Sequence, residues 1–118
     1  MDKEIEILQA AYRNFNARNL DAVLALMTKD VEWPNGWEGG YVHGHEGVRD
    51  YWTRQWTVLD PKVEPREIHK LEDGRLAVEV HQIVHDREGK LLADLQVRHI
   101  YRMHDELIER MDIEEVIS

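Results

Sequence analysis

The sequence predicts an α+β fold, with three N-terminal helices packed on a curved antiparallel sheet. In the first half of the chain, apolar residues recur at three- and four-residue steps, as they do on one face of a helix. After Asp60-Pro61 they alternate in four stretches separated by short turns, and such turns join antiparallel neighbours. The chain has 118 residues, so we expect residues 1–118 to form a single domain.

Three stretches carry the helical spacing. The first covers residues 3–17 and has Tyr12 on its apolar face. The second is shorter, and its apolar stripe covers residues 20–27. A short strand at 31–33 and a Gly-rich loop follow, and the third helix is expected over about residues 45–56.

The alternating half of the chain predicts four strands, near residues 63–71, 75–85, 92–103 and 107–116. A four-residue loop at 87–90 pairs residues whose numbers sum to 177. This register places two rows on one face: Leu76, Val78, Val80, Gln82 and Val84 opposite Tyr101, His99, Val97, Leu95 and Ala93. That face is apolar except for Gln82, His99 and Tyr101, so we expect it to pack on the helices.

The last hairpin decides what faces His99. If Asp105-Glu106 form a two-residue loop, His99 faces Asp112 and Tyr101 faces Arg110. A three-residue loop instead sets His99 against Met111. The two-residue loop is preferred, because aspartate at the first loop position is usual turn chemistry.

Composition excludes several classes of function. The chain has no cysteine, which removes disulfide scaffolds, thiolate metal sites and cysteine nucleophiles. Its net charge of -9 is spread evenly over both halves, so no nucleic-acid partner is expected. There is no apolar run of membrane-spanning length and no signal-peptide pattern at the N-terminus. The sequence therefore predicts a cytoplasmic protein with no membrane partner.

Five segments carry a family resemblance in their order and spacing. They read NLDAV at 19–23, DVEWP at 30–34, GHEGVR at 44–49, VRHIYR at 97–102 and IERMD at 108–112. Together they resemble the nuclear-transport-factor-2-like superfamily, in particular its SnoaL-like branch. Glu106 departs from the glycine that relatives often have in the last turn.

The resemblance implies a cone-shaped pocket between the helices and the concave face of the sheet, and a homodimer. It does not select a reaction, because this fold hosts isomerases, cyclases, epoxide hydrolases, dehydratases and transport factors. The mixed outer face of the sheet is the expected dimer surface, where Glu79 and Arg98 pair within or between subunits. A solvated outer face is the alternative.

His99 is the leading catalytic candidate. In the similar ketosteroid isomerases a carboxylate base and a protonated carboxylic acid act on a ketone, but this chain has Trp33 and His99 at those positions. That route is therefore rejected. We expect His99, oriented by Asp112 and accompanied by Tyr101, to act as general acid or base, with Tyr12 as a further phenol. A structural histidine is the alternative.

Metal and cofactor sites are not expected. His81 and His85 lie four apart on a predicted strand, which separates them by about 13 Å. The pair His43 and His45 stands beside glycines without the glutamate that a cupin-type site needs. The chain also contains no phosphate-binding glycine loop.

Six of the nine aromatic residues lie within residues 33–56, among them all four tryptophans. Trp33 and Trp37 suit a pocket mouth, whereas Trp52 and Trp56 form its wall or only fasten the third helix to the sheet. Gln82 and Arg110 complete the expected ligand contacts, with an outward salt bridge as the alternative for Arg110.

These expectations predict an apolar cyclic or aromatic small molecule as the partner. The predicted protein is a cofactor-independent isomerase, cyclase or hydrolase. The alternative is a non-catalytic protein that binds an apolar small molecule or serves as a dimeric interaction module.

Overall fold

A computed structural model describes residues 2–35 and 38–115, which form three helices and six strands. In chain order the elements are α1 (Lys3–Asn16), α2 (Leu20–Leu24), β1 (Met27–Pro34), β2 (Tyr41–His43), α3 (Gly44–Val58), β3 (Leu59–Lys70), β4 (Leu76–Asp86), β5 (Leu91–His104) and β6 (Leu107–Glu115). The third helix thus follows two short strands. Trp37, expected at the pocket mouth, lies outside the described residues.

One curved sheet contains all six strands, in the order β2-β1-β6-β5-β4-β3. The four strands expected in the second half of the chain are β3 to β6, and their neighbours pair antiparallel. The expectation of a wholly antiparallel sheet is wrong at one place, because β1 runs parallel to β6. That pairing needs a long connection between the two strands, and the chain from α3 to β5 supplies it.

The second helix is shorter than its apolar stripe predicts. It ends at Leu24, and Met27 begins β1. The backbone N–H of Ile108 donates to the carbonyl of Leu26 at 2.8 Å, and Met27 is the partner of Ile108 in β6. Pairing with the sheet therefore takes residues 26–27 out of the helix, a tertiary effect that outweighs the local pattern.

The register of β4 and β5 is confirmed. Val78 faces His99 and Gln82 faces Leu95, as the sum of 177 requires. The alternating apolar residues therefore lie on the concave face, against the helices. Val78 and Val80 have no exposed surface, and His99 and Tyr101 are 5% and 1% exposed.

The last hairpin has the expected two-residue loop but a different register beyond it. His104 faces Leu107 and Met103 faces Ile108, after which a β-bulge leaves Glu109 without a Cα partner in β5. The pairing then shifts by one residue. His99 faces Ile113 instead of Asp112, and the expected opposition of Tyr101 and Arg110 is replaced by Tyr101 with Met111. One extra residue in a strand moves the following side chains to the opposite face.

The helices are fixed to the sheet at identifiable points. Asp2 caps α1 by accepting from the backbone N–H groups of Glu4 and Ile5. At the other end of α1, the Asn16 side chain donates to the carbonyl of Val63 at 2.7 Å and accepts from its N–H at 2.9 Å. These paired bonds join α1 to β3, which is an edge strand.

The core lies between the helices and the concave face. Its largest fully buried side chains are Leu8, Val23, Val31, Val48, Leu76, Val78, Val80, Tyr101, Ile108 and Met111. Within residues 2–35 and 38–115, no helix is long and apolar enough to cross a membrane.

Candidate functional site

A cavity of about 250 Å³ lies between α1, α3 and the concave face of the sheet. Its walls are mostly apolar. Polar side chains from four elements line it: Tyr12 from α1, Tyr51 and Gln55 from α3, Gln82 from β4, and His99 and Tyr101 from β5. Within the described part of the chain, no carboxylate and no lysine or arginine lines this cavity. The lining therefore favours an uncharged ligand.

Three of these polar groups form a buried hydrogen-bonded chain. The hydroxyl of Tyr101 donates to the hydroxyl oxygen of Tyr12 at 2.8 Å, and Tyr12 shares a hydrogen with Nδ1 of His99 at 2.7 Å. The rings of Tyr12 and His99 are stacked, with centroids 5.9 Å apart. The period of α1 places Tyr12 on the face that meets the sheet, and the alternation of β5 brings His99 and Tyr101 to that same side.

Burial controls the protonation of the chain. It lowers the pKa of His99 to about 4, so the imidazole is neutral at pH 7. Burial also raises the pKa of Tyr12 well above its usual range, with a further contribution from the neighbouring Tyr101. For Tyr101, burial raises the pKa despite the hydrogen bond to Tyr12, which lowers it. All three groups are therefore uncharged near neutral pH.

The hydrogen between Tyr12 and His99 can be held by either partner. If Tyr12 donates it, the neutral ring carries its own proton on Nε2. If Nδ1 donates it, Nε2 is an unprotonated base and the Tyr12 hydroxyl is free to donate into the cavity. The hydrogen bond of the ring to Tyr12 uses Nδ1, which leaves Nε2 as the nitrogen for a ligand in the cavity.

Aromatic rings form much of the cavity wall. Trp33 and Trp52 meet edge to face with centroids 5.3 Å apart, and Phe15 meets Trp52 in the same way at 5.1 Å. Trp56 does not line the cavity. It stacks against the far side of this group, 5.9 Å from Trp52, and the Arg18 guanidinium lies 5.1 Å from its ring. Its position agrees with the alternative of a fastening role in α3.

Asp112 and Arg110 lie on the outer face of the sheet. Two hydrogen bonds join them, at 3.0 and 3.2 Å, and Arg110 also contacts Glu32 at 3.1 Å. Tyr41 donates to Asp112. Burial raises the pKa of Asp112, but the bonds from Arg110 and Tyr41 outweigh it and hold the pKa below its usual value. The bulge in β6 thus separates both residues from His99. Tyr12, and not Asp112, is the hydrogen-bond partner of His99.

Two other histidines, His45 and His81, have partners away from the cavity. His81 contacts Asp94 at 2.6 Å and Arg66 at 3.1 Å on the outer face, and His45 contacts the carbonyl of Met27 at 3.0 Å. Among residues 2–35 and 38–115, no group of three histidine, aspartate or glutamate side chains is placed to hold a metal ion.

Sequence reasoning missed two polar residues of α3 beside the cavity. The Gln55 amide donates to the Tyr51 hydroxyl at 3.3 Å. Their four-residue spacing is the signal that places them on one face of the helix. The expectation that Asp112 orients His99 is also wrong, although Tyr12 was expected as a further phenol of the site.

The sequence model of the SnoaL-like domain matches residues 8–111, almost the whole chain. The chain belongs to the SnoaL-like family. No curated protein matches the sequence.

Solved structures share the fold of this SnoaL-like protein. TerC, co-crystallised with polyporic acid, is 30% identical with a TM-score of 0.84, and the match covers 98% of this chain and 92% of TerC. An NTF2-like protein of unknown function from Burkholderia pseudomallei is 23% identical with a TM-score of 0.85, covering 98% and 92%. A candidate polyketide cyclase from Pseudomonas putida is 20% identical with a TM-score of 0.82, covering 99% and 93%.

Proposed function

We propose that this SnoaL-like protein is a cofactor-independent enzyme that acts on an apolar cyclic or aromatic ketone by general acid-base chemistry. The observation that carries the proposal is the buried chain of Tyr101, Tyr12 and His99 beside an aromatic cavity. Apolar cavities with a few converging polar groups are the usual form of small-molecule sites. Among the isomerase, cyclase and hydrolase activities expected from the sequence, isomerisation and cyclisation fit best, because both begin with enolisation.

Enolisation needs a base for the proton on carbon and an acid for the oxygen on which charge develops. In the reactive arrangement, Nδ1 of His99 donates to Tyr12, Nε2 is the base and the Tyr12 hydroxyl donates to the ketone oxygen. As Nε2 takes the proton from carbon, Tyr12 passes its hydrogen to the ketone oxygen and receives that of Nδ1. The products are the enol and a neutral imidazole protonated on Nε2.

This relay suits the buried site, because no group in it becomes charged. Burial disfavours both an imidazolium at His99 and a phenolate at Tyr12. The hydroxyl of Tyr101 fixes the Tyr12 oxygen in place throughout. Returning the proton to a different carbon gives an isomer, and attack of the enol on a second carbonyl gives a cyclised product.

Deuterium exchange tests the proposal without knowledge of the natural substrate. We expect the protein in D₂O to exchange the protons beside the carbonyl of 4-phenylcyclohexanone roughly 100-fold or more above the buffer rate, as followed by proton NMR. His99→Gln and Tyr12→Phe should each lose this acceleration. Both variants should still bind the ketone, as measured by quenching of tryptophan fluorescence.

The matched control is His85→Gln. His85 lies near the C-terminal end of β4 and does not line the cavity. It should exchange the ketone at the wild-type rate. Binding of the ketone with exchange at the buffer rate in the wild-type protein would refute the enzymatic proposal.

A non-catalytic binding protein is the second candidate, and three points favour it. A histidine with a pKa of about 4 is a weak base on its own, and the cavity walls are mostly apolar, with several aromatic rings. TerC was co-crystallised with a small molecule, polyporic acid. Tight binding of the uncharged 4-phenylcyclohexanone by this chain, together with exchange at the buffer rate, is the result expected of a binding protein.

A further inference from the structure

Gln82 is a polar side chain on an otherwise apolar part of the concave face. Its neighbours along β4 on that face are Val80 and Val84, and its Cα partners in the adjacent strands are Val63 and Leu95. The Gln82 side chain lines the cavity and is partly exposed there, so its carboxamide can bind a ligand.

The exposure of the concave face shows where Gln82 lies along the cavity. On β5, His99 and Val97 are 5% and 6% exposed, whereas Leu95 is 50% exposed. On β4, Val80 has no exposed surface and Gln82 is partly exposed. The acid-base chain therefore stands at the closed end of the cavity, and Gln82 stands towards its open end.

Strand geometry gives the distance between the two ends. His99 faces Val78, and Gln82 follows Val78 by four residues along β4. Four residues of strand span about 13 Å. With about 3 Å for a hydrogen bond at each end, and with the Gln82 side chain able to lean along the strand, a ligand that reaches both has polar atoms roughly 7 to 10 Å apart. A linear molecule of two or three rings has this length.

We propose that Gln82 binds the far end of the ligand and selects flat ketones of two or three rings that carry an uncharged oxygen opposite the reacting carbonyl. The proposal rests on the proposed function, because it takes the carbonyl to lie at His99. A carboxamide both donates and accepts, so it accommodates a hydroxyl or a carbonyl. A charged group at that end has no ion-pair partner among the described lining residues.

Gln55 is the other carboxamide at the cavity, and its amide group already donates to Tyr51 at 3.3 Å. Gln82 is therefore the residue assigned to specificity.

A matched pair of ligands tests the assignment. 4-(4-Hydroxyphenyl)cyclohexanone has a hydroxyl at the end opposite its carbonyl, and 4-phenylcyclohexanone lacks it. We expect the wild-type protein to bind the hydroxylated ketone roughly three- to tenfold more tightly, which is the effect of one hydrogen bond. Gln82→Leu and the nearly isosteric Gln82→Met should each reduce this ratio to about one, with little change for 4-phenylcyclohexanone.

Gln96→Met is the control, because Gln96 faces outward on β5 and does not line the cavity. It should keep the wild-type ratio. A wild-type ratio near one, or a ratio that survives in both Gln82 variants, overturns the assignment of Gln82 and leaves the proposed function standing. Failure of the wild-type protein to bind either ketone overturns the proposed function and this inference together.

Discussion

At the scale of single residues, the burial of His99 links the protein's stability to pH. The folded state holds this histidine at a pKa of about 4, below the value of 6.5 for a free side chain. Between these two values the unfolded chain binds the proton and the folded chain does not, so stability is complete above about pH 6.5 and falls as pH decreases towards 4. The difference corresponds to about 3 kcal/mol.

Urea unfolding at pH 7 and pH 4.5 measures this linkage. The wild-type protein should lose more free energy of unfolding between these pH values than His99→Gln, which cannot titrate there. Carboxylates contribute equally to both proteins and cancel in the comparison. An equal loss in the two proteins would show that His99 titrates normally in the folded state.

At the scale of secondary-structure elements, the last turn of the meander, between β5 and β6, contains strained residues. Asp105 and Glu106 both have positive φ, 48° and 63°, as the tight hairpin requires. This backbone region favours glycine, so Glu106→Gly should raise the free energy of unfolding by about 0.5 to 1 kcal/mol. Chemical denaturation measures the change.

Glu88→Gly in the preceding hairpin is the matched control. Glu88 lies in a turn whose positive φ belongs to Gly89. Glycine at position 88 relieves no strain and adds freedom to the unfolded chain, so this variant should be no more stable than the wild type. Equal gains from both substitutions would contradict the explanation by turn strain.

The strands show how far the sequence predicts the site. Alternation and one turn length gave the register of β4 and β5, and with it the positions of His99, Tyr101 and Gln82 on one face. The bulge at Glu109 has no signature in the alternation, because it depends on how β6 meets both β5 and the parallel strand β1. It moved Asp112 to the outer face. Local pattern thus predicts which side chains share a strand face, whereas contacts between distant elements, such as Tyr12 with His99, come from packing.

At the scale of the whole molecule, the outer face of the sheet has most of its charges paired within the chain. Arg98 contacts Glu79 at 2.8 Å and Glu114 at 3.5 Å, so these groups do not need a second subunit. Beside them Ala77 and Ile100 are buried within the chain, and Ile83 is partly exposed. We propose that two copies associate through this face, with Ile83 at the centre of the contact.

Sedimentation tests this association. The wild-type protein should have twice the chain mass of 14.0 kDa, and Ile83→Lys should sediment as a single chain, because a two-fold interface brings both lysines together. Arg13→Ala, an exposed position on α1 on the opposite side of the sheet, serves as the surface control. The net charge of -9 on each copy opposes association, so the dimer should strengthen from low salt to 0.15 M salt as screening increases. A wild-type protein that sediments at 14.0 kDa at 0.15 M salt would show that this face is solvated instead.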